Sequence, residues 1–191
     1  MPVSDSELIE RIRGGEKHIY ASLIDRHKDQ AMTLAMRILK NREDAEEAAQ
    51  DAFVRAYYAL GKFEGASSFS TWLYRIVYNV CLTRVSRRRE EILQIEYDDE
   101  IDHKERASAT WWSSLASLEQ KDMISVIKGI IDAMPAKYSS ILSLFYFQEL
   151  TYEEIVEVTR LPLGTVKVQL FRARTMLHRQ LEKELEMEKA V

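Results

Sequence analysis

Residues 150–177 read LTYEEIVEVTRLPLGTVKVQLFRARTML. Thr151 and Glu154 have the spacing of a capping box, which predicts that a helix begins here. The Leu161–Gly164 segment contains a proline that ends this helix and a glycine that gives the backbone freedom to turn. A second helix is predicted to begin at Thr165. Two helices joined by so short a turn predict a helix-turn-helix.

Apolar and basic residues fall on opposite sides of the second predicted helix. The side expected to face the core carries Val166, Leu170, Ala173 and Leu177. The other side carries Val168, Phe171, Arg172 and Thr175, flanked by Lys167 and Arg174. Arginine can pair with guanine edges, apolar groups can contact thymine methyls, and lysine can hold phosphate. An ordinary basic surface helix has a similar pattern, but the absence of any acid from Val158 to Leu181 favours a helix that binds the major groove of duplex DNA.

The composition predicts an all-α fold. The chain has 191 residues, 46% of them hydrophobic, with only 3 prolines, 6 glycines and no alternating pattern typical of strands. We expect two small helical domains, residues 1–89 and 120–191, joined by a linker at 90–119. The single cysteine, Cys81, excludes an internal disulfide, and the polar N-terminus lacks a signal pattern. These features predict a cytoplasmic protein that does not insert into a membrane.

Charge is unevenly distributed along the chain, whose formal net charge is −4. Residues 1–89 carry 15 Lys and Arg against 12 Asp and Glu, residues 90–119 carry 2 against 9, and residues 120–191 carry 10 of each. The linker is therefore acidic. A second acid-free stretch, Gly65–Arg89, contains five arginines. Two acid-free basic stretches in an acidic chain indicate local contact with phosphate.

The stretch around residue 75 mixes aromatic and basic residues. A helix capped by Ser70 or Thr71 is predicted to run to about Arg88. In this stretch Phe69, Trp72, Tyr74 and Tyr78 are interleaved with Arg75 and Asn79. Aromatic rings beside arginines suit single-stranded nucleic acid, because bases stack on the rings. The alternative is that Trp72 is a core residue with Ile76, which leaves Asn79 as the better candidate for contacting a base.

Two other features each have two interpretations. Asp44, Glu47 and Asp51 share a helix face beside Gln50. This face is either a solvated surface, whose acidic residues stabilise the N-terminus of the helix, or a docking surface for a basic partner. The linker contains the pair Trp111-Trp112, which either packs on a neighbouring domain or anchors a partner.

Several motifs resemble conserved regions of bacterial sigma factors. DAEEAAQDAFVRA at 44–56 and FSTWLYRI at 69–76 are similar to region two. MPAKY at 134–138, LTYEEI at 150–155, GTVK at 164–167 and FRAR at 171–174 are similar to region four. Their order and spacing resemble the compact extracytoplasmic-function group.

The resemblance implies a role and a set of site residues. Such proteins bind core RNA polymerase and direct it to promoter DNA. The docking surface for the clamp helices of the largest polymerase subunit would be Asp44, Glu47, Gln50 and Asp51. The melted minus-ten element would be captured by the loop from Phe63 to Ser70 and by Phe69, Trp72, Arg75, Asn79, Thr83, Arg87 and Arg88. The minus-thirty-five duplex would be read by Thr165, Lys167, Val168, Phe171, Arg172 and Arg174.

The resemblance also concerns the linker, regulation and specificity. The acidic linker would thread toward the polymerase active-site and RNA-exit channel, and an anti-sigma factor would hold the protein inactive. Relatives often carry Ser-Arg where this chain has Val168-Gln169, and often Asp or Asn where it has Thr83. Promoter preference therefore cannot be transferred from them.

Two other classes of function compete with this interpretation. A free-standing helix-turn-helix regulator would bind a promoter without polymerase, but would leave the acidic face without a role. An enzyme acting on nucleic acid would need a reactive cluster. His18, His27, His103 and His178 are scattered, and the chain has no HExxH motif, Cys/His ligand set or phosphate-binding glycine loop. We therefore predict no catalytic residue, metal site or cofactor.

Overall fold

The computed structural model describes residues 3–92 and 120–189, with side chains described for 3–86 and 124–184. The described residues form eight α-helices and no strand, which confirms the predicted all-α fold. The helices are α1 (Asp5–Arg13), α2 (Tyr20–Leu39), α3 (Arg42–Ala59), α4 (Phe69–Ile92), α5 (Gln120–Ala133), α6 (Ala136–Leu142), α7 (Tyr152–Thr159) and α8 (Leu163–Lys189). Trp111-Trp112 and most of the predicted linker lie outside the described residues.

Helices α1 to α4 form the first helical domain. Ser4 and Asn41 cap α1 and α3, where their side-chain oxygens accept hydrogen bonds from the backbone N–H groups of Glu7 and Asp44. Helix α3 packs against both α2 and α4. Its buried face is almost entirely alanine: Ala45, Ala48, Ala49, Ala52 and Ala56. Such small side chains allow helices to approach closely, while larger buried residues of α2 and α4 fill the core.

Helices α5 to α8 form the second helical domain. A π-helical turn, Ser143–Phe147, follows α6 directly. The core of this domain is a set of side chains with almost no exposed surface: Ile131, Ile141, Leu142, Leu144, Ile155, Val158, Val166 and Leu170. Ile124, near the start of α5, is half exposed. Helix α5 is buried only toward its end, where Ile131 is 1% exposed.

Two details of the helix ends differ from the sequence predictions. The cap of α4 is Ser68, not Ser70 or Thr71, because the Ser68 hydroxyl accepts the backbone N–H of Thr71 at 3.1 Å. Gly164, which was expected to turn the backbone between α7 and α8, does not have a positive φ and lies in the first turn of α8. Arg160 takes the left-handed conformation instead, with φ 60°, and its N–H donates to the Val156 carbonyl at the end of α7.

The two helical domains pack against each other through α2 with α6 and through α4 with α7. At the first contact Arg37 is only 3% exposed. Its guanidinium donates to Asp132 at 3.1 Å and to the Ser143 hydroxyl at 2.5 Å, and lies 4.2 Å from the centroid of the Phe147 ring. Every polar partner of this buried cation therefore comes from the other domain. Nothing in the local sequence pattern predicted this contact.

Candidate nucleic-acid interface

Helix α7 and the first half of α8 have the geometry of a helix-turn-helix. The predicted capping box is present: the Thr151 hydroxyl accepts the N–H of Glu154, and the Glu154 carboxylate accepts the N–H of Thr151. The predicted inner stripe of α8 (Val166, Leu170, Ala173 and Leu177) is at most 5% exposed. This stripe packs α8 on α6 and α7 and so fixes which side of the helix faces solvent.

The opposite side of α8 is open to solvent. Val168 and Phe171 are 47% and 46% exposed, and at a spacing of three residues they form one apolar patch on this side. Lys167 is also exposed, while Thr165 and Arg172 are half-buried along the same side. The predicted division of this helix into a buried and an exposed side is confirmed. Its contact with DNA stays a prediction.

Arg174 is held by aromatic residues that the sequence did not single out. Its Nε–H donates to the Tyr146 hydroxyl at 2.9 Å. The guanidinium carbon lies 5.0 Å and 5.5 Å from the centroids of the Phe145 and Tyr146 rings. Both rings come from the π-helical turn. The FYF run at 145–147 gave no indication of this contact, because α-helical spacing would place these side chains differently.

The candidate minus-ten residues of α4 differ in their surroundings. Asn79 and Thr83 are exposed one turn apart, and the Thr83 hydroxyl donates to the Asn79 carbonyl at 2.9 Å. Arg75, one turn before Asn79, donates to Glu157 of α7 at 3.2 Å. The side chains of Arg87 and Arg88 lie outside the described residues. One face of α4 thus presents an amide, a hydroxyl and a paired arginine.

The two aromatic residues proposed as base contacts, Phe69 and Trp72, are buried. They are 4% and 8% exposed, and their ring centroids lie 5.8 Å apart. Both rings also pack on Phe63, whose centroid is 5.1 Å from that of Trp72. A ring enclosed in this way offers no face on which a base can stack. The prediction of a stacking role is wrong for this arrangement, and the core interpretation of Trp72 is correct.

The start of α4 is in contact with the first helix of the helix-turn-helix. The Thr71 hydroxyl donates to the Glu154 carboxylate at 3.0 Å, and the Ser67 hydroxyl donates to Glu157 at 3.0 Å. Burial of Glu154 opposes its ionisation, but hydrogen bonds from the Thr151 backbone and from the Thr151 and Thr71 hydroxyls outweigh burial and lower its pKa. Glu154 and Glu157 of the second domain therefore accept hydrogen bonds from the Thr71 and Ser67 hydroxyls, beside the candidate minus-ten face of α4.

The acidic face of α3 is exposed and partly paired. Glu47 accepts a hydrogen bond from Arg84 of α4 at 2.9 Å, and Asp51 is bridged by two nitrogens of Arg55, each at 2.9 Å. Asp44 is half-buried in the first turn, and Gln50 is exposed.

An apolar groove lies beside this acidic face. Gln50 lies at its edge, and the exposed side chains Val54 and Tyr58 extend the surface along α3. The groove has a volume of about 660 Å³. It is lined by Lys17, Tyr20, Ala21, Ile24, Gln50, Phe53, Val54, Tyr57 and Tyr58. The sequence reasoning found the acidic residues but missed the apolar ones.

The remaining reactive groups form no further site in the described part of the chain. Cys81 is fully buried, and burial raises the pKa of its thiol to about 12. Residues 3–92 and 120–189 contain no group of three His, Cys, Asp or Glu side chains placed to hold a metal ion. Within the same residues, no helix is long and apolar enough to cross a membrane.

Comparison with known proteins relates both domains to transcription factors of one kind. The model of sigma-70 region 2 matches residues 23–91, and the model of sigma-70 region 4 matches residues 125–177. The ECF RNA polymerase sigma factor SigW of Bacillus subtilis is 33% identical over 181 residues, covering 91% of this chain and 94% of that protein. The RNA polymerase sigma-H factor of Pseudomonas aeruginosa is 31% identical over 181 residues, covering 93% and 94%.

Solved structures share the fold at lower sequence identity. The sigma factor RpoE in complex with the anti-sigma factor NepR from Bartonella quintana matches with a TM-score of 0.63 and 19% identity, over 85% of this chain and 96% of that one. CnrH in complex with the cytosolic domain of CnrY matches with a TM-score of 0.56 and 20% identity, over 92% and 96%. Because the two family models match more than half of the residues and relatives above 30% identity span nearly the whole chain, this protein belongs to the extracytoplasmic-function group of sigma-70 RNA polymerase sigma factors.

Proposed function

We propose that the two domains of this sigma factor divide promoter recognition between them, with residues 120–191 reading the minus-thirty-five duplex and residues 1–89 capturing the minus-ten element. The observation that carries the proposal is the open face of α8, where Lys167, Val168 and Phe171 are exposed above a buried stripe. A basic and apolar face on the second helix of a helix-turn-helix suits the major groove. Sigma factors are initiation factors rather than enzymes, and we propose that this one has no catalytic activity of its own.

Within α8, different residues are proposed to do different work. Arg172 would pair with a base edge, and Val168 and Phe171 would contact thymine methyls. Thr165 would contribute a hydroxyl at the start of the helix, where unpaired N–H groups favour a phosphate. Lys167 and Arg174 would contact backbone phosphates, because both lie at the flank of the exposed face. Val168 and Gln169 would set how promoter preference differs from that of relatives.

The minus-ten element is proposed to contact the exposed face of α4. Asn79 has both donor and acceptor groups for a base edge, and Thr83 lies one turn further along. Arg75, Arg87 and Arg88 would hold the backbone. Phe69 and Trp72 support this surface from the core and have no direct contact in the proposal. Because Arg75 pairs with Glu157, the Glu157 carboxylate competes with DNA for this guanidinium while α4 and α7 are in contact.

The acidic face of α3 is proposed to dock on the clamp helices of the largest polymerase subunit. Glu47, Gln50 and Asp51 would contact basic residues there, with Asp44 at the edge of the contact. The neighbouring groove with Val54 and Tyr58 supplies the apolar area that a stable interface needs beside its charges. This combination favours docking over the simpler interpretation of a solvated acidic face.

We further propose that the protein acts in the cytoplasm and is held inactive by an anti-sigma factor. Two solved structures that share the fold are each in complex with another protein, the anti-sigma factor NepR and the cytosolic domain of CnrY. An occupant of that kind would stabilise the contact between the two domains seen here. Release would then free both DNA-facing surfaces together.

Run-off transcription tests the proposal directly. Purified core polymerase and the full chain are incubated with a promoter library that is randomised at the minus-ten and minus-thirty-five positions, and the transcribed sequences are read. We expect transcripts only when both proteins are present, with selection at both elements. The variant Asp51→Lys should abolish polymerase binding. Promoter binding at nanomolar concentration by the chain alone would instead favour a free-standing regulator.

A further inference from the structure

The π-helical turn Ser143–Phe147 brings a tyrosine next to the DNA-facing helix. The Gln148 N–H donates to the Ser143 carbonyl at 3.1 Å, five residues back, so the turn is wider than an α-turn. Single π turns inside helical segments are frequent at functional sites. Tyr146, on this turn, is 37% exposed, whereas the residues before it in α6 are mostly buried. The turn therefore directs an aromatic side chain to the solvent side of α8.

Arg174 of α8 is fixed against this turn at three points. The Tyr146 hydroxyl accepts its Nε–H at 2.9 Å, and the Phe145 and Tyr146 rings both lie near the guanidinium. The two rings are perpendicular, with centroids 4.9 Å apart, so each supports the other. This hydrogen bond uses one of the five guanidinium N–H donors and leaves those on the terminal nitrogens for another acceptor. Because Tyr146 accepts here, its own O–H remains available to donate.

The same aromatic surface continues along α8 toward Lys167. Phe145 also packs on Tyr152, with centroids 5.4 Å apart, and the Lys167 Nζ lies 6.0 Å from the centroid of Tyr152. Lys167 and Arg174 are seven residues apart, so they lie on one side of the helix, about 10 Å apart along its axis. The flank of α8 therefore carries two cations, each backed by aromatic rings. This arrangement suits the phosphates of a DNA backbone that borders the groove better than a base edge inside the groove.

We infer that Tyr146 is a positioning residue for DNA binding, which holds the Arg174 guanidinium in place so that the arginine and the tyrosine hydroxyl bind the same backbone phosphate beside the minus-thirty-five groove. An arginine that is already ordered loses less rotamer freedom when it binds. The inference rests on the proposed role of α8 in minus-thirty-five recognition. It adds a residue outside the helix-turn-helix to that site and says how Arg174 is held for the phosphate contact proposed above.

Binding of promoter DNA to the reconstituted polymerase holoenzyme tests this inference. Dissociation constants are measured over a series of salt concentrations for the wild type, Tyr146→Phe, Arg174→Ala and the double variant. Tyr146→Phe should weaken binding by about 3- to 10-fold, the value of one hydrogen bond, and equally for all minus-thirty-five sequences. Arg174→Ala should also reduce the slope of log K against log salt by about 1. Tyr146→Phe should reduce the slope in the same direction, and its effect should be smaller in the Arg174→Ala background than in the wild type, because only the direct contact of its hydroxyl remains to be lost.

Controls separate this role from a structural one. Tyr138→Phe removes a phenolic hydroxyl from a tyrosine that is 3% exposed and cannot reach DNA, so it should leave both affinity and slope unchanged. Thermal unfolding of each variant shows whether a loss of binding merely follows a loss of stability. The inference is overturned if Tyr146→Phe leaves affinity and slope unchanged, if its effect adds fully to that of Arg174→Ala, or if Arg174→Ala changes selection at a single base pair.

The same measurements distinguish failure of the inference from failure of the proposed function. Phe171→Ala and Arg172→Ala test whether α8 reads the minus-thirty-five element at all. If both lower promoter affinity while Tyr146→Phe does not, only the positioning role is wrong. If neither changes promoter affinity, the assignment of α8 to the minus-thirty-five element is wrong, and the inference about Tyr146 fails with it.

Discussion

Helices α4 and α8 were both predicted to carry DNA contacts, but their side chains lie in different surroundings. On α8, apolar side chains divide into a fully buried stripe and an exposed pair, Val168 and Phe171. On α4, the aromatic residues Phe69 and Trp72 are buried, and the polar face carries Arg75 paired with the other domain. A single exposed apolar residue is common on protein surfaces, but Val168 and Phe171 lie together on a basic helix face, and such a patch favours binding. An aromatic residue in a basic stretch is more often part of the core.

The position of each helix in its domain explains the difference. Helix α8 packs on α5, α6 and α7, but its buried residues in the helix-turn-helix form a single stripe, with Val166, Leu170 and Ala173 three or four residues apart. Helix α4 packs on α2, α3 and α7, and consecutive residues such as Trp72, Leu73 and Tyr74 are buried, so more of its circumference is enclosed. A helical wheel identifies two sides correctly only when the helix has one buried side. Helical spacing therefore identified the two sides of α8, whereas Phe69 and Trp72 of α4 were assigned from the mixture of aromatic and basic residues and from the family resemblance, neither of which reports burial.

The sharpest way to test this contrast compares Trp72→Ala with Phe171→Ala. Trp72→Ala removes a buried ring and should lower the free energy of unfolding by about 3–5 kcal/mol. Phe171→Ala removes an exposed ring and should change it by no more than about 0.5 kcal/mol, while weakening promoter binding. Urea denaturation followed by circular dichroism measures both. A Trp72→Ala protein of unchanged stability would contradict the assignment of this ring to the core.

The predictable features of the fold are those that depend on neighbours in sequence. The capping box Thr151–Glu154 and the buried stripe of α8 follow from residue type and spacing. The left-handed residue at Arg160 was assigned to Gly164, because glycine is the usual choice at such a position. Burial of Arg37 requires Asp132 and Ser143, which are far away in the chain. No local pattern carries that information.

The residues of the candidate site likewise differ in whether the local sequence predicts them. Lys167, Val168 and Phe171 were identified because their own helix sets their exposure. Tyr146 was not, because its contact with Arg174 depends on the π turn that precedes α7. The partner of Arg75 was also missed, since Glu157 belongs to the other domain. Sequence therefore predicted the exposed elements of the DNA-facing surface better than the contacts that hold them in place.

A second prediction concerns specificity on α8. Arg172→Ala should cost about 1–3 kcal/mol of binding free energy at one position of the minus-thirty-five element and relax selection there. The physical reason is the loss of a side chain that can donate two hydrogen bonds to one base. Competitive binding of the holoenzyme to single-substituted promoters measures the effect position by position. A loss of equal size for every sequence would assign Arg172 to phosphate and remove the distinction drawn between it and Arg174.

A third prediction concerns the occupied face of α4. Glu157→Gln removes the carboxylate that pairs with Arg75 and accepts from Ser67. It should raise the affinity of the full chain for a single-stranded minus-ten oligonucleotide by about two- to fivefold, the value of a partly exposed ion pair. Fluorescence anisotropy measures the affinity. Glu153→Gln is the matched control, since Glu153 is exposed on the same helix. Equal affinities for the two variants would show that the contact between the domains does not compete with DNA.

The smallest expected effect is a dependence of the contact between the domains on pH. Hydrogen bonds from Thr151 and Thr71 outweigh burial and lower the pKa of Glu154 below its ordinary value of 4.5. A carboxyl whose pKa is lowered by folding contributes stability that is complete above its unfolded pKa and is lost as pH falls through its folded pKa. Thr71→Val removes the hydroxyl that bonds to Glu154 and also to the Ser68 hydroxyl, and it leaves the capping box in place. Because the Ser68 hydroxyl does not titrate, the pH-dependent part of the difference reports the contact that joins α4 to α7. Above pH 5 the wild type should exceed Thr71→Val in free energy of unfolding by about 0.5–1.5 kcal/mol, and the difference should shrink as the solution becomes more acidic than the ordinary pKa. Urea titrations at a series of pH values measure it, and a difference that stays constant through the acid range would mean that the Glu154 charge does not hold the two domains together.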